Sequence, residues 1–179
     1  MLVLHAVRLK GFADTATIAA RFRLDPGQTG EDLLDAEAFG QVARSAFAGL
    51  SGWSLTERGR RHNEAQLRDE LDRAGARAAV TAVHDRFVPL NARAAAAFTA
   101  WQLGTDRSVE AFHTLAGALR DLERDLTAHL DRFAGYHERF TAALSRGGEW
   151  ITGVEVDSCH RVWFELHEDL VATLGIARA

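Results

Sequence analysis

The residues of this chain with the greatest chemical capacity lie in its last predicted helix, VEVDSCHRVWFELHEDLVATLG, over about Val154 to Leu174. Val156, Cys159, Trp163, Leu166 and Leu170 advance by alternating three and four residues and form one apolar seam; Asp157, His160, Phe164, His167 and Val171 form the adjacent stripe. His160 and His167 point the same way about 10 Å apart along the axis, too far to bind one metal directly but suited to two ends of a pocket lined by Trp163 and Phe164. Asp157, three residues before His160, could orient its ring or take up its proton, which makes Asp157, His160 and His167 the acid-base groups of a possible helical pocket. Histidines at the edge of a core are more often hydrogen-bonded to neighbouring helices, so that set is the alternative reading and no catalytic residue is assigned. Arg161, Glu165, Glu168 and Ala172 lie opposite the apolar side.

Metal and nucleophile chemistry has little support. Glu110 with His113, and Asp157 with His160, each place an acid three residues before a histidine, the spacing used in di-iron bundles. Such pairs arise by chance among 25 acids and 8 histidines, so no metal and no cofactor are assigned. No HExxH, CxxC, glycine-rich phosphate loop or GxSxG is present. Cys159 sits on the apolar seam, where a small core residue is expected rather than a nucleophile. As the single cysteine it also excludes an intramolecular disulfide and fits a reducing, cytoplasmic setting.

The elements that would position these residues are mainly helices. With 47% hydrophobic and 26% charged residues the chain can bury a core and is not a disordered tail. No apolar run reaches the roughly 18 to 20 residues of a membrane span, and the charge in MLVLHAVRLK comes too early for a signal peptide. Leu2 to Lys10 is a first helix, and Asp14 or Thr15 caps a second that buries Ile18, Ala19 and Phe22. Asp25-Pro26-Gly27 signals a turn, and Thr29 to Phe39 a third helix burying Leu33, Leu34 and Ala36 and ending at Gly40. Val42 to Phe47 and Gly52 to Thr56 suit a hairpin around Ala48 to Ser51. Thr56 then caps a helix to about Ala74; a helix from Ala76 to Leu103 should break or kink at Pro89; Ser108 caps a long helix carrying apolar residues from Val109 to Phe133; a shorter helix covers Tyr136 to Leu144.

This order, with the stretches LLDAEAFGQV and GWSLTERGRR at its joints, resembles the MarR-type winged helix-turn-helix transcriptional regulators of actinobacteria, in which "LT-x-x-G-R" commonly leads out of the wing. The resemblance implies a mainly α fold, with a winged helix-turn-helix domain over residues 1 to 62 and a helical dimerisation and ligand-binding region over 63 to 179. It implies a homodimer that binds DNA and is tuned by a small molecule, rather than an enzyme or a membrane protein. Carried over by position, the DNA-facing residues are Gln28, Thr29, Asp32 and Asp35 on the third helix and Arg44 and Ser51 on the wing, and the ligand would lie against His160, Trp163, Phe164 and His167.

Charge distribution opposes part of that implication. The net charge of -4 divides as +1 over residues 1 to 62, zero over 63 to 104 and -5 beyond. The third helix carries Glu31, Asp32, Asp35 and Glu37 and no lysine or arginine, whereas a groove-reading helix should neutralise phosphates and donate to guanine. Arg8, Lys10, Arg21, Arg23, Arg58, Arg60 and Arg61 would have to supply backbone contacts. A winged-helix protein turned to small-molecule binding or catalysis is therefore the second expectation.

Overall fold

The computed structural model describes residues 1–47 and 49–176. The chain is mainly helical with one small two-stranded antiparallel sheet. It divides into two compact units, Met1–Glu70 and a second from Leu71 onward.

The first unit contains α1 (Leu2–Lys10), α2 (Thr15–Arg21), α3 (Pro26–Ala38), β1 (Val42–Phe47), β2 (Leu50–Leu55) and the larger part of α4 (Glu57–Arg73). Asp14 caps α2 by accepting from the Thr17 amide at 2.7 Å. The expected turn at Asp25-Pro26-Gly27 is instead the start of α3: Asp25 accepts from the Gln28 amide at 2.8 Å, and Pro26 occupies the first helical position, where its missing N–H costs nothing. Leu33 and Ala36 are buried as expected, but Leu34 is 48% exposed, because the buried stripe is Thr29, Leu33 and Ala36, spaced by four and three, and Leu34 lies about 100° round the helix from Leu33. These residues meet Leu4, Val7, Ile18, Val42 and Trp53 in one apolar core.

The strands pair from Val42 with Leu55 to Phe47 with Leu50, so β2 begins earlier than the expected Gly52; Ala48, placed in the turn by the sequence, lies outside the described residues. Ala13 joins the sheet through a bridge to Trp53, whose amide donates to the Ala13 carbonyl at 2.8 Å. A side chain at Gly52 would come within 2.8 Å of the Phe12 ring and 2.9 Å of the Ala13 carbonyl, so glycine is what allows this approach. Thr56 caps α4 as expected, accepting from the Gly59 amide at 3.0 Å while its hydroxyl donates to the Gly40 carbonyl at 2.7 Å. A Cβ at Gly59 would collide with the Gln41 carbonyl oxygen. The glycine of the LT-x-x-G-R stretch is thus required where the exit of α3 passes the start of α4.

The second unit contains α5 (Arg77–Leu103), α6 (Glu110–Thr127), a 3-10 turn (Asp131–Phe133), α7 (Tyr136–Arg146), the short α8 (Glu149–Thr152) and α9 (Cys159–Leu174). The helix does not break at Pro89, which lies in the interior of α5. Pro89 is exposed, so water can take the carbonyl that proline leaves unbonded, and Phe87, Ala94, Phe98 and Trp101 hold the helix to the core on the other side. Ser108 is not a cap: its amide donates to Asp106 at 2.8 Å, and α6 starts at Glu110 without a side-chain cap. Nor does α6 reach Phe133. Glu123 accepts from the amides of Gly135 at 3.0 Å and His137 at 2.6 Å, fixing the start of α7 beside α6. The last helix begins at Cys159 rather than Val154, because Ser158 accepts from the Arg161 amide at 3.3 Å and Arg161 reaches back to the Val154 carbonyl. Among the described residues no helix is long and apolar enough to cross a membrane.

Candidate functional site

The start of α9 changes the geometry of the acid-histidine pair. Asp157 stands outside the helix, so it does not share a helical stripe with His160, and its carboxylate is held by Arg139: Nε donates to Oδ2 at 2.8 Å and Nη2 to Oδ1 at 2.6 Å. His160 is exposed, with its ring 4.8 Å from that of Phe98, and partial burial lowers its pKa below the usual histidine value. His167 is half-buried beside Phe87, at 5.4 Å between rings. Trp163 is buried, stacks on Phe87 at 5.2 Å and donates from Nε1 to Asn91 at 3.0 Å, while Phe164 is 54% exposed. The stripe expected to line a pocket therefore divides, with Trp163 turned into the core and Phe164 and His160 turned out. Glu110 and His113 are both exposed on α6.

The opposite side of α9 is also a correction. Glu165, Glu168 and Ala172 are buried, together with Asp169, which is 0% exposed. Arg132 of the 3-10 turn donates to Asp169 through Nη1 and to the Thr173 hydroxyl through Nη2 at 2.6 Å, and the Tyr136 hydroxyl donates to Asp169 at 2.8 Å. Arg139 Nη2 also lies 2.8 Å from Glu165 Oε2. Burial alone would lower the Arg139 pKa, but the hydrogen bonds to Asp157 and the charges of Glu165 and Asp157 outweigh it and raise the pKa. This arrangement pairs its carboxylates with arginines, which serves to fasten the 3-10 turn and α7 to α9. A signal for it was present in three acids crowded into ELHED on an otherwise apolar helix. Their partners, 26 to 37 residues earlier in the chain, could not be chosen from spacing. Cys159 is buried beneath the same region, and burial pushes its thiol up to about 12.

In the first unit the DNA-facing candidates fall on different surfaces. Thr29 is buried and leaves the candidate face. Gln28 is exposed and donates from Nε2 to Asp32 at 2.9 Å. Arg44 and Ser51 of the hairpin share a recess of about 250 Å³ with Glu31, Leu34 and Trp53. The Arg44 guanidinium lies 5.5 Å from the Trp53 ring centroid, and Trp53 Nε1 donates to the Thr15 hydroxyl at 3.1 Å. Asp32 and Asp35 instead line a separate groove of about 570 Å³ between α3 and the start of α1. Of the basic residues expected to help, Arg8 is taken by Glu64 at 2.9 Å and Arg21 is buried, whereas Arg58, Arg60 and Arg61 are exposed on the first turns of α4. Asp14, below the hairpin, has its pKa lowered by the Thr17 amide it accepts from. Comparison with protein-family models, with curated proteins and with solved structures gave no match.

Proposed function

We propose that the first unit is a winged helix-turn-helix of the MarR-like kind, and that the chain acts as a homodimeric, ligand-responsive transcriptional regulator whose DNA contact is led by arginines of the hairpin and of α4. The observation that carries this reading is the bridge from Ala13 to Trp53, which ties the α1–α2 connection to the hairpin at a single residue and leaves α3 and the hairpin flanking one recess. The four carboxylates of α3 cannot neutralise phosphates, so Arg44, Arg58, Arg60 and Arg61 take that role in the proposal. Dimerisation is assigned to the second unit, where Val88 and Leu103 on α5 and Phe164 on α9 are exposed at 53, 73 and 54%.

Fluorescence anisotropy with duplexes from the chain's own upstream region tests the proposal. Binding should weaken steeply between 50 and 200 mM salt, and Arg44→Ala should reduce the slope of log K against log salt by about 0.9 per protomer. Light scattering should give twice the 19.6 kDa chain mass. Absence of binding at the lowest salt, or an unchanged slope in the Arg44 variant, would overturn the reading.

A further inference from the structure

Arg44 lies on the inner face of the hairpin. It pairs directly across the strands with Trp53, and the alternation that turns Val42 and Trp53 into the core turns Arg44 the same way, toward the recess beside α3. Trp53 itself is fixed from several sides. It is 5% exposed, its backbone exchanges two hydrogen bonds with Ala13 at 2.8 and 3.3 Å, and its indole N–H donates to Thr15 at 3.1 Å. The Arg44 guanidinium stands 5.5 Å from the centroid of that ring. Asp14 and Glu31 line the same recess, yet no ion pair joins either of them to Arg44 among the described residues.

We propose that Trp53 is a positioning residue for Arg44: its ring holds the guanidinium at the recess without neutralising it, so that the whole charge meets a phosphate of the duplex. A carboxylate partner would fix the side chain equally well, but it would consume the charge that a phosphate needs. An aromatic face attracts the cation through its quadrupole and leaves the charge in place. An arginine moving freely in water loses rotamer freedom when it binds; one that already lies on a rigid ring has lost part of that freedom beforehand. The role rests on the DNA reading of the first unit, whereas the place of Arg44 on the ring can be measured without DNA.

Two measurements on the full chain test it. In the NMR spectrum of the free protein, the ring current of Trp53 should place the Arg44 side-chain protons upfield of those of the exposed Arg58 and Arg60. In fluorescence anisotropy with a duplex from the chain's own upstream region, Trp53→Leu should weaken binding about two- to five-fold with the salt slope unchanged, because Arg44 keeps its charge. In an Arg44→Ala background the same substitution should change affinity less than about 1.5-fold, and Trp53→Phe, which keeps a ring, should lose less than Trp53→Leu. Arg44 signals coincident with those of Arg58 and Arg60 overturn the proposal. So does equal weakening by Trp53→Leu in both backgrounds, which would mark Trp53 as a core residue alone. The first measurement needs no substitution, so a Trp53→Leu chain that fails to fold does not shield the proposal. Upfield Arg44 signals in a chain that binds no duplex at the lowest salt overturn the DNA reading and leave the hold on Arg44 standing.

Discussion

Asp169→Asn removes one charge and almost no volume from the tightest polar arrangement in the second unit, which makes its cost calculable. The carboxylate is 0% exposed and accepts from Arg132 Nη1, from the Tyr136 hydroxyl at 2.8 Å and from the Thr173 hydroxyl at 3.3 Å. The Arg132 side chain is 3% exposed, so after the substitution a guanidinium stays buried without its anion, and the amide nitrogen of the new side chain faces a donor it cannot satisfy. Breaking a buried pair on one side costs about 3–5 kcal/mol, against about 5–15 kcal/mol for the whole stability of a domain. With a urea slope of about 2 kcal/mol per molar, the unfolding midpoint should fall by about 2 M. Tryptophan fluorescence reads this directly, since Trp101, Trp150 and Trp163 all lie in the second unit. The double replacement Arg132→Met with Asp169→Leu should recover most of the loss, because two well-packed apolar side chains carry no desolvation cost. A midpoint for Asp169→Asn within about 0.3 M of the parent would refute the argument that this pair fastens the 3-10 turn to α9.

Two further substitutions probe the joints of the fold. Gly59→Ala should destabilise the first unit by about 3 kcal/mol or more, seen as early loss of the near-ultraviolet signal of Trp53, since its Cβ meets the Gln41 backbone and not a movable side chain; an alanine variant of unchanged stability would place the α3 exit elsewhere. The Cys159 thiol, pushed by burial up to about 12, should resist a disulfide reagent at pH 8 in the folded chain and react with one equivalent in urea. Because the folded state holds that proton more tightly than the unfolded chain, whose value is near 9.0, its stabilising share is complete below pH 9 and disappears as pH rises toward 12. The fall in urea midpoint over that window should therefore be smaller for Cys159→Ala than for the parent; identical pH profiles would contradict it.

Periodicity located most elements but misplaced the points where side chains outside the pattern decide. Thr56 was legible as a cap because its partner, Gly59, is three residues away. Asp25-Pro26-Gly27 was not legible as a helix start, because the same residues favour both a turn and an N-terminus, and the choice was made by the core around Leu33 and Ala36. Where a break or kink was expected at Pro89 the helix does not break, for a related reason: a local preference of about 3 kcal/mol is overridden when one face of a long helix is buried over its length. For the candidate sites, the exposed carboxylates of α3 could be read from composition and spacing. The pairing of Asp157 with Arg139, and not with His160, depends on Ser158 capping α9 so that it starts at Cys159, five residues later than the hydrophobic pattern suggests.

The two acid-rich helices of the chain show why carboxylate content alone does not specify a role. On α9, Asp169 is matched by Arg132 and Glu165 by Arg139, cations brought from the 3-10 turn and α7, so these charges are consumed inside the fold. On α3, Asp32 and Asp35 stay exposed, and Glu31 and Glu37 with them, with no internal cation against any of the four among the described residues. A helix burying Leu33 and Ala36 needs no such density of one charge on its outer face, and like charges at this spacing slightly oppose the helix they sit on. That charge separates α3 from an ordinary groove-reading helix, whose own charge is opposite, and it is why the DNA contact we propose is led by the arginines of the hairpin and α4.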